Sequence, residues 1–187
     1  MSTADKKRGQ KRAPPAAVAP ADEEDDVCWL CLGGDNESGE ALRRDCSCRG
    51  GSGWAHLPCI VEYAKRNTKM LWGAHDGINK SPEQWRYCTG CKQPYQNELL
   101  VDLANKFVCF VEEEYPGDQR RHLAALHRKL QALKRMGGNS QKGETKQIAN
   151  KMLSMIEQIH VEEDSRKLRR IEAYAYSCLG RIANKEG

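Results

Sequence analysis

The chain has 187 residues, 39% hydrophobic and 30% charged, with 30 Lys and Arg against 26 Asp and Glu for a net charge of +4. That leaves room for one ordinary domain or two small ones, and too little apolar material for a large enzyme core. No apolar run reaches eighteen residues, and the opening MSTADKKRGQKRAPP has the charge but not the hydrophobic stretch of a signal peptide. No membrane span is expected, and the location is expected to be intracellular, cytoplasmic or nuclear.

Residues 1–26 combine Pro14, Pro15 and Pro20, a basic cluster KKRGQKR and an acidic run DEEDD, with almost nothing to bury. A disordered charged tail is expected there. The basic cluster fits a nuclear import signal or a plain solvated tail.

The chemistry sits in residues 27–97. Four pairs follow one another: Cys28-x-x-Cys31, Cys46-x-Cys48, His56-x-x-Cys59 and Cys88-x-x-Cys91. In a reducing compartment such spacings read as metal ligands, not disulfides. Eight thiolate and imidazole ligands make two tetrahedral zinc sites. With four protein ligands each, both sites are closed to water and substrate, so the two zinc ions are structural and stand in for a hydrophobic core. No catalytic residue is assigned: there is no G-x-S-x-G, no phosphate loop, and no Cys-His pair outside the ligand scheme.

Fourteen residues separate Cys31 from Cys46, one separates Cys46 from Cys48, seven separate Cys48 from His56, and twenty-eight separate Cys59 from Cys88. Together with CWLC, CSCRGGSGWAH, HLPCIVEY and CTGCKQPY, this resembles the RING-CH (RING-variant, C4HC3) zinc finger family over residues 28 to 95. The resemblance implies a small α+β, cross-braced RING-like domain in which Cys28, Cys31, His56 and Cys59 hold one zinc and Cys46, Cys48, Cys88 and Cys91 the other. It also implies an E3 ubiquitin ligase that recruits a ubiquitin-charged conjugating enzyme. On that analogy Leu30 is the exposed apolar contact in the first knuckle, Tyr63 takes the place of the family's tryptophan, and Lys92 is the basic residue after the last ligand. The Cys59 to Cys88 stretch is longer than the family's usual length; a helix from about Pro58 to Lys69 followed by a loop from MLWGAHDG onward is expected. A plant homeodomain finger, a chromatin reader, shares the ligand order. It departs at the C-x-C pair, the seven-residue gap and the tryptophan three residues before Cys88.

Residues 98–187 read as an all-α antiparallel segment. Leu99, Leu100, Leu103, Phe107, Phe110 and Val111 recur at helical steps until YPGD. Leu123, Leu126, Leu130 and Leu133 form a second stripe, ending at Gly137; Ile148, Met152, Met155, Ile156 and Ile159 a third; Leu168, Ile171, Ala175 and Leu179 a fourth. Cys109 and Cys178 lie within these stripes and are expected to be packing residues. LAALHRKLQALKRMG and EAYAYSCLGRIANKEG resemble the first helix of a tetratricopeptide unit, although Gly137 and Gly187 stand fifty residues apart against a usual repeat of about 34. A plain helical bundle is the alternative. From Pro116 onward there are fifteen basic and eight acidic residues, a balance of +7, spread around helices without stacking aromatics, which disfavours nucleic acid as the partner. The segment is expected to dock a protein partner or substrate. Two functional alternatives stand beside the ligase: a zinc-stapled adaptor without ligase activity, and the chromatin reader.

Overall fold

In chain order the fold is a glycine-rich 3-10 turn, Gly50–Gly53, then α1 Leu57–Ala74, a second 3-10 turn Glu83–Trp85, and four helices: α2 Asn97–Glu114, α3 Gln119–Met136, α4 Lys142–His160 and α5 Arg166–Ala183. The computed structural model describes residues 26–35, 40–74, 82–137, 141–160 and 166–184. The expected disordered tail lies outside the described residues, apart from Asp26.

The α+β expectation is met only in part: among the described residues the β structure is limited to the isolated antiparallel bridges Arg43–Ala55 and Tyr87–Pro94, without a ladder. The reason is chain length between ligands. With Cys46, Cys48, His56 and Cys59 inside fourteen residues, the backbone turns at each knuckle before a strand can extend, and the metal ligands supply the cross-links a ladder would otherwise provide.

The first helix continues through Ala74, past the expected end at Lys69. Ile60, Ala64, Thr68 and Trp72 are all buried and lie four residues apart, so the inner stripe runs about one turn further. Thr68 hides this in the sequence. Its hydroxyl donates to the Ala64 carbonyl at 2.7 Å and accepts from the Trp85 indole N–H at 2.8 Å, so a polar side chain occupies a core position fully satisfied.

α2 belongs to two cores at once. Its N-terminal half places Leu99, Leu100, Leu103 and Ala104 against Cys28, Ala55, Ile60 and Cys88 of the finger. The C-terminal half places Phe107, Phe110 and Val111 against Ala64, Trp72 and Trp85. Trp85 stacks on Phe107 with ring centroids 5.0 Å apart. A polar latch ties the same helix to the finger: Arg43 Nη1 meets Asp102 at 2.5 Å, the Asn97 amide donates to Asp45 at 3.0 Å, and the Gln96 N–H donates to the Asp45 carbonyl at 2.8 Å. Buried residues on both sides of position 97, Tyr95 before it and Leu99 after it, therefore belong to one core.

α2 ends at Tyr115, before Pro116 and Gly117 at φ 83°. Asp118 then caps α3 by accepting from the Arg121 N–H at 2.9 Å, and Gly137 at φ 67° closes it in the left-handed conformation. Leu123, Leu126, Leu130 and Leu133 pack with Ile148, Met152, Ile156 and Ile159 of α4 and with Leu168, Ile171, Ala175 and Cys178 of α5, a third core. The expectation for Cys109 is corrected. It is exposed on the outer face of α2, while Cys178 is buried. No helix among the described residues is long and apolar enough to cross a membrane.

Candidate metal centre

Two tight turns of the same design begin and end the finger. In the first, the Leu32 N–H donates to the Cys28 carbonyl at 2.7 Å and the Cys28 N–H to the Gly33 carbonyl at 2.8 Å. In the second, Lys92 donates to Cys88 and Cys88 to Gln93, both at 2.9 Å. Each turn puts the residue after its second cysteine in the left-handed region, Leu32 at φ 63° and Lys92 at φ 57°. This is how C-x-x-C aims both sulfurs at one point.

The eight predicted ligands assemble into two groups, Cys28, Cys31, His56 and Cys59 in one and Cys46, Cys48, Cys88 and Cys91 in the other, the ligand atoms of each within 4.8 Å of one another. Each group takes pairs from non-consecutive parts of the chain, so the two centres interleave. Zinc bonds of ~2.3 Å to sulfur and ~2.0 Å to nitrogen place tetrahedral neighbours ~3.8 Å apart for two sulfurs and ~3.5 Å apart for sulfur and nitrogen. The observed edges are 3.6 Å from Cys48 to Cys88 sulfur, and 3.5 and 3.8 Å from His56 Nδ1 to the Cys31 and Cys59 sulfurs. The cages have the size of zinc.

His56 is fully buried, and its Nε2 lies 2.9 Å from the Gly34 carbonyl. A carbonyl only accepts, so Nε2 carries the proton and Nδ1 keeps its lone pair for the metal. The thiols show why the metal is needed. Burial pushes Cys48 and Cys59 up to about 12, with neighbouring thiols adding to the rise. At Cys28 and Cys91 burial also opposes ionisation, yet backbone N–H groups, those of Cys31 and His56 for one and of Gln93 and Ser47 for the other, bring the pair down to about 6 and 7. Each cage thus holds one thiol shifted toward the thiolate, Cys28 or Cys91, and one shifted away from it, Cys59 or Cys48, whose ionisation a cation's charge would favour.

Residues 28–91 match the family model of the RING-variant domain. The chain carries a RING-variant domain. No curated protein and no solved structure matches the chain. The eight ligands of this RING-variant domain and their pairing are those the sequence resemblance implied. Closed four-ligand centres hold the fold and leave no open position at the metal.

The other singled-out residues sit on the outside of this frame. Leu30 is half-buried in the first turn, the half-buried Tyr63 of α1 meets Trp29 edge-on at 5.8 Å, and Lys92 is exposed in the second turn. Trp72 and Trp85 are buried against α2, each in ring contact with Phe107. Two glycines escaped the sequence reading. A Cβ on Gly53 would lie 2.9 Å from the Cys48 Cβ, and one on Gly90 3.3 Å from the Cys48 sulfur. Only the ligand-adjacent spacing of Gly90 within CTGC hints at this. Gly53→Ala is expected to displace Cys48 and weaken the Cys46, Cys48, Cys88, Cys91 centre selectively. Competition with a chromophoric chelator checks it: one of the two zinc ions should leave faster than in the parent protein, and equal release of both would contradict the geometry.

Proposed function

We propose that the protein is a RING-type E3 ubiquitin ligase whose finger recruits a ubiquitin-charged conjugating enzyme while the helices after it dock the target. The observation that carries this reading is the RING-variant domain with both interleaved metal cages complete. No side chain forms a bond to ubiquitin. The rate gain comes from holding the thioester close to the acceptor lysine in a reactive orientation.

Leu30, next to Trp29 in the chain, and Tyr63, whose ring meets Trp29 edge-on, supply the apolar contact for the conjugating enzyme. Lys92, exposed at the other cage, supplies charge-assisted hydrogen bonds to the enzyme and its ubiquitin. The packing of α2 on α3, α3 on α4 and α4 on α5 suits a stacked docking module. Lys92 permits a clean separation of roles, because its left-handed backbone is strained for any residue with a Cβ. Lys92→Gly should leave thermal stability equal to or above the parent, yet lower autoubiquitination about tenfold or more, the worth of one charged hydrogen bond, while Lys92→Arg retains most of it. Full activity in Lys92→Gly across a panel of conjugating enzymes would remove Lys92 from the mechanism. No activity of the parent protein with any enzyme would leave the zinc-stapled adaptor as the function.

A further inference from the structure

Three of the four ligand pairs are closed by their own backbone. The N–H of Leu32 donates to the Cys28 carbonyl at 2.7 Å, that of Ile60 to His56 at 3.1 Å and that of Lys92 to Cys88 at 2.9 Å, in each case from the residue after the second ligand to the first ligand. Cys46-x-Cys48 is one residue shorter, and among the described residues no hydrogen bond between backbone groups spans it. A side chain holds it instead: Arg44 Nη2 donates to the Cys48 carbonyl at 2.7 Å.

Two further contacts fix Arg44, which is half-buried. Its guanidinium carbon lies 5.7 Å from the centroid of the Trp54 ring, within reach of a cation–π contact. Gly53 leaves room for the stem: a Cβ there would come within 3.2 Å of Arg44 Cγ and 3.3 Å of its Nε. The charge so fixed meets the centre with the larger need for it. With a divalent ion bound, three thiolates and the neutral His56 imidazole leave one negative charge on the first centre, whereas four thiolates leave two on the second. A cation held beside such a group offsets part of the cost of taking its charge out of water. Of the neighbouring cations, Arg43 is paired with Asp45 and Asp102, and Arg49 and Lys92 are exposed. Among the described residues no carboxylate is paired with Arg44.

We propose that Arg44 is a positioning residue of the four-thiolate centre: it closes the Cys46–Cys48 bend that the backbone leaves open, brings a positive charge to it, and so slows the loss of zinc from that centre alone. Groups behind the ligands of a metal site act in this way, by orienting a ligand and balancing its charge. Packing of the Arg44 stem on Trp54 with no role at the metal is the other use of these contacts. The two differ in what removal of the charged head does.

The inference stands apart from the ligase reading, and its test needs no ubiquitin. Zinc-loaded full-length protein is mixed with a chromophoric chelator, and release is followed in the parent, Arg44→Met and Arg44→Lys. Cobalt(II) added once the first zinc has left reports which centre is empty, because a four-sulfur site and a three-sulfur, one-nitrogen site absorb differently. Arg44→Met keeps an apolar stem against Trp54 and should release one zinc about tenfold or more faster than the parent. Cobalt should then enter the four-sulfur site, while the other zinc leaves at the parent's rate. Arg44→Lys, which retains the charge and a donor, should recover most of the retention. If Arg44→Met takes up only one zinc, cobalt should again find the vacant site to be the four-sulfur one. Unchanged release in Arg44→Met, a vacancy at the site containing His56, or loss of both ions together would each overturn the proposal, as would an Arg44→Lys protein that releases zinc as fast as Arg44→Met.

Discussion

Removing zinc is expected to unfold the finger and α2 together, while α3, α4 and α5 keep most of their helix. Cys28 and Cys88 are ligands and also core members packed with Leu99, Leu100 and Leu103, so the packing beneath α2 has no other frame. The free energy of metal binding is folding free energy in such a domain, roughly 10 kcal/mol or more per site, which exceeds what these few apolar contacts contribute. The helical core has its own thirteen buried residues and no ligand except through the chain. Elemental analysis should give two zinc ions per chain, as two complete cages require. Chelation should abolish the near-ultraviolet signal of Trp72 and Trp85 and reduce helicity only in part. A stoichiometry near one, or an unchanged tryptophan signal after full chelation, would contradict the expectation.

The second large effect separates the cores by where a charge is buried. Leu103 is fully buried between finger and α2, and Met152 fully buried between α3, α4 and α5. Leu103→Asp and Met152→Asp each place an unpaired carboxylate among apolar neighbours, at a cost of several kcal/mol. Leu103→Asp should lose both zinc ions. Met152→Asp, like Leu126→Asp, should melt the helical segment and keep the metal. Zinc loss in all three would show a single cooperative unit across the chain, and zinc retention in Leu103→Asp would show that the cages stand without α2.

The ligands were legible in the sequence because metal spacing is local: C-x-x-C and C-x-C place their sulfurs within one turn. The buried stripes of α2 to α5 were legible because apolar residues at three and four steps have few other uses. What escaped was set by tertiary contact. Thr68 reads as a surface residue until the Trp85 indole is found bonded to it. Cys109 reads as apolar until α2 turns it outward. The α+β expectation came from the family resemblance, and among the described residues only isolated bridges form between the knuckles.

The most direct test of the ligase reading is single-turnover discharge of a purified ubiquitin-charged conjugating enzyme onto free lysine, with the parent protein and with Leu30→Ala. The parent is expected to accelerate discharge with at least one enzyme of a broad panel. Leu30→Ala is expected to abolish the acceleration while zinc content and thermal stability stay close to the parent. Acceleration that persists in Leu30→Ala, or no acceleration by the parent with any enzyme, would contradict that reading.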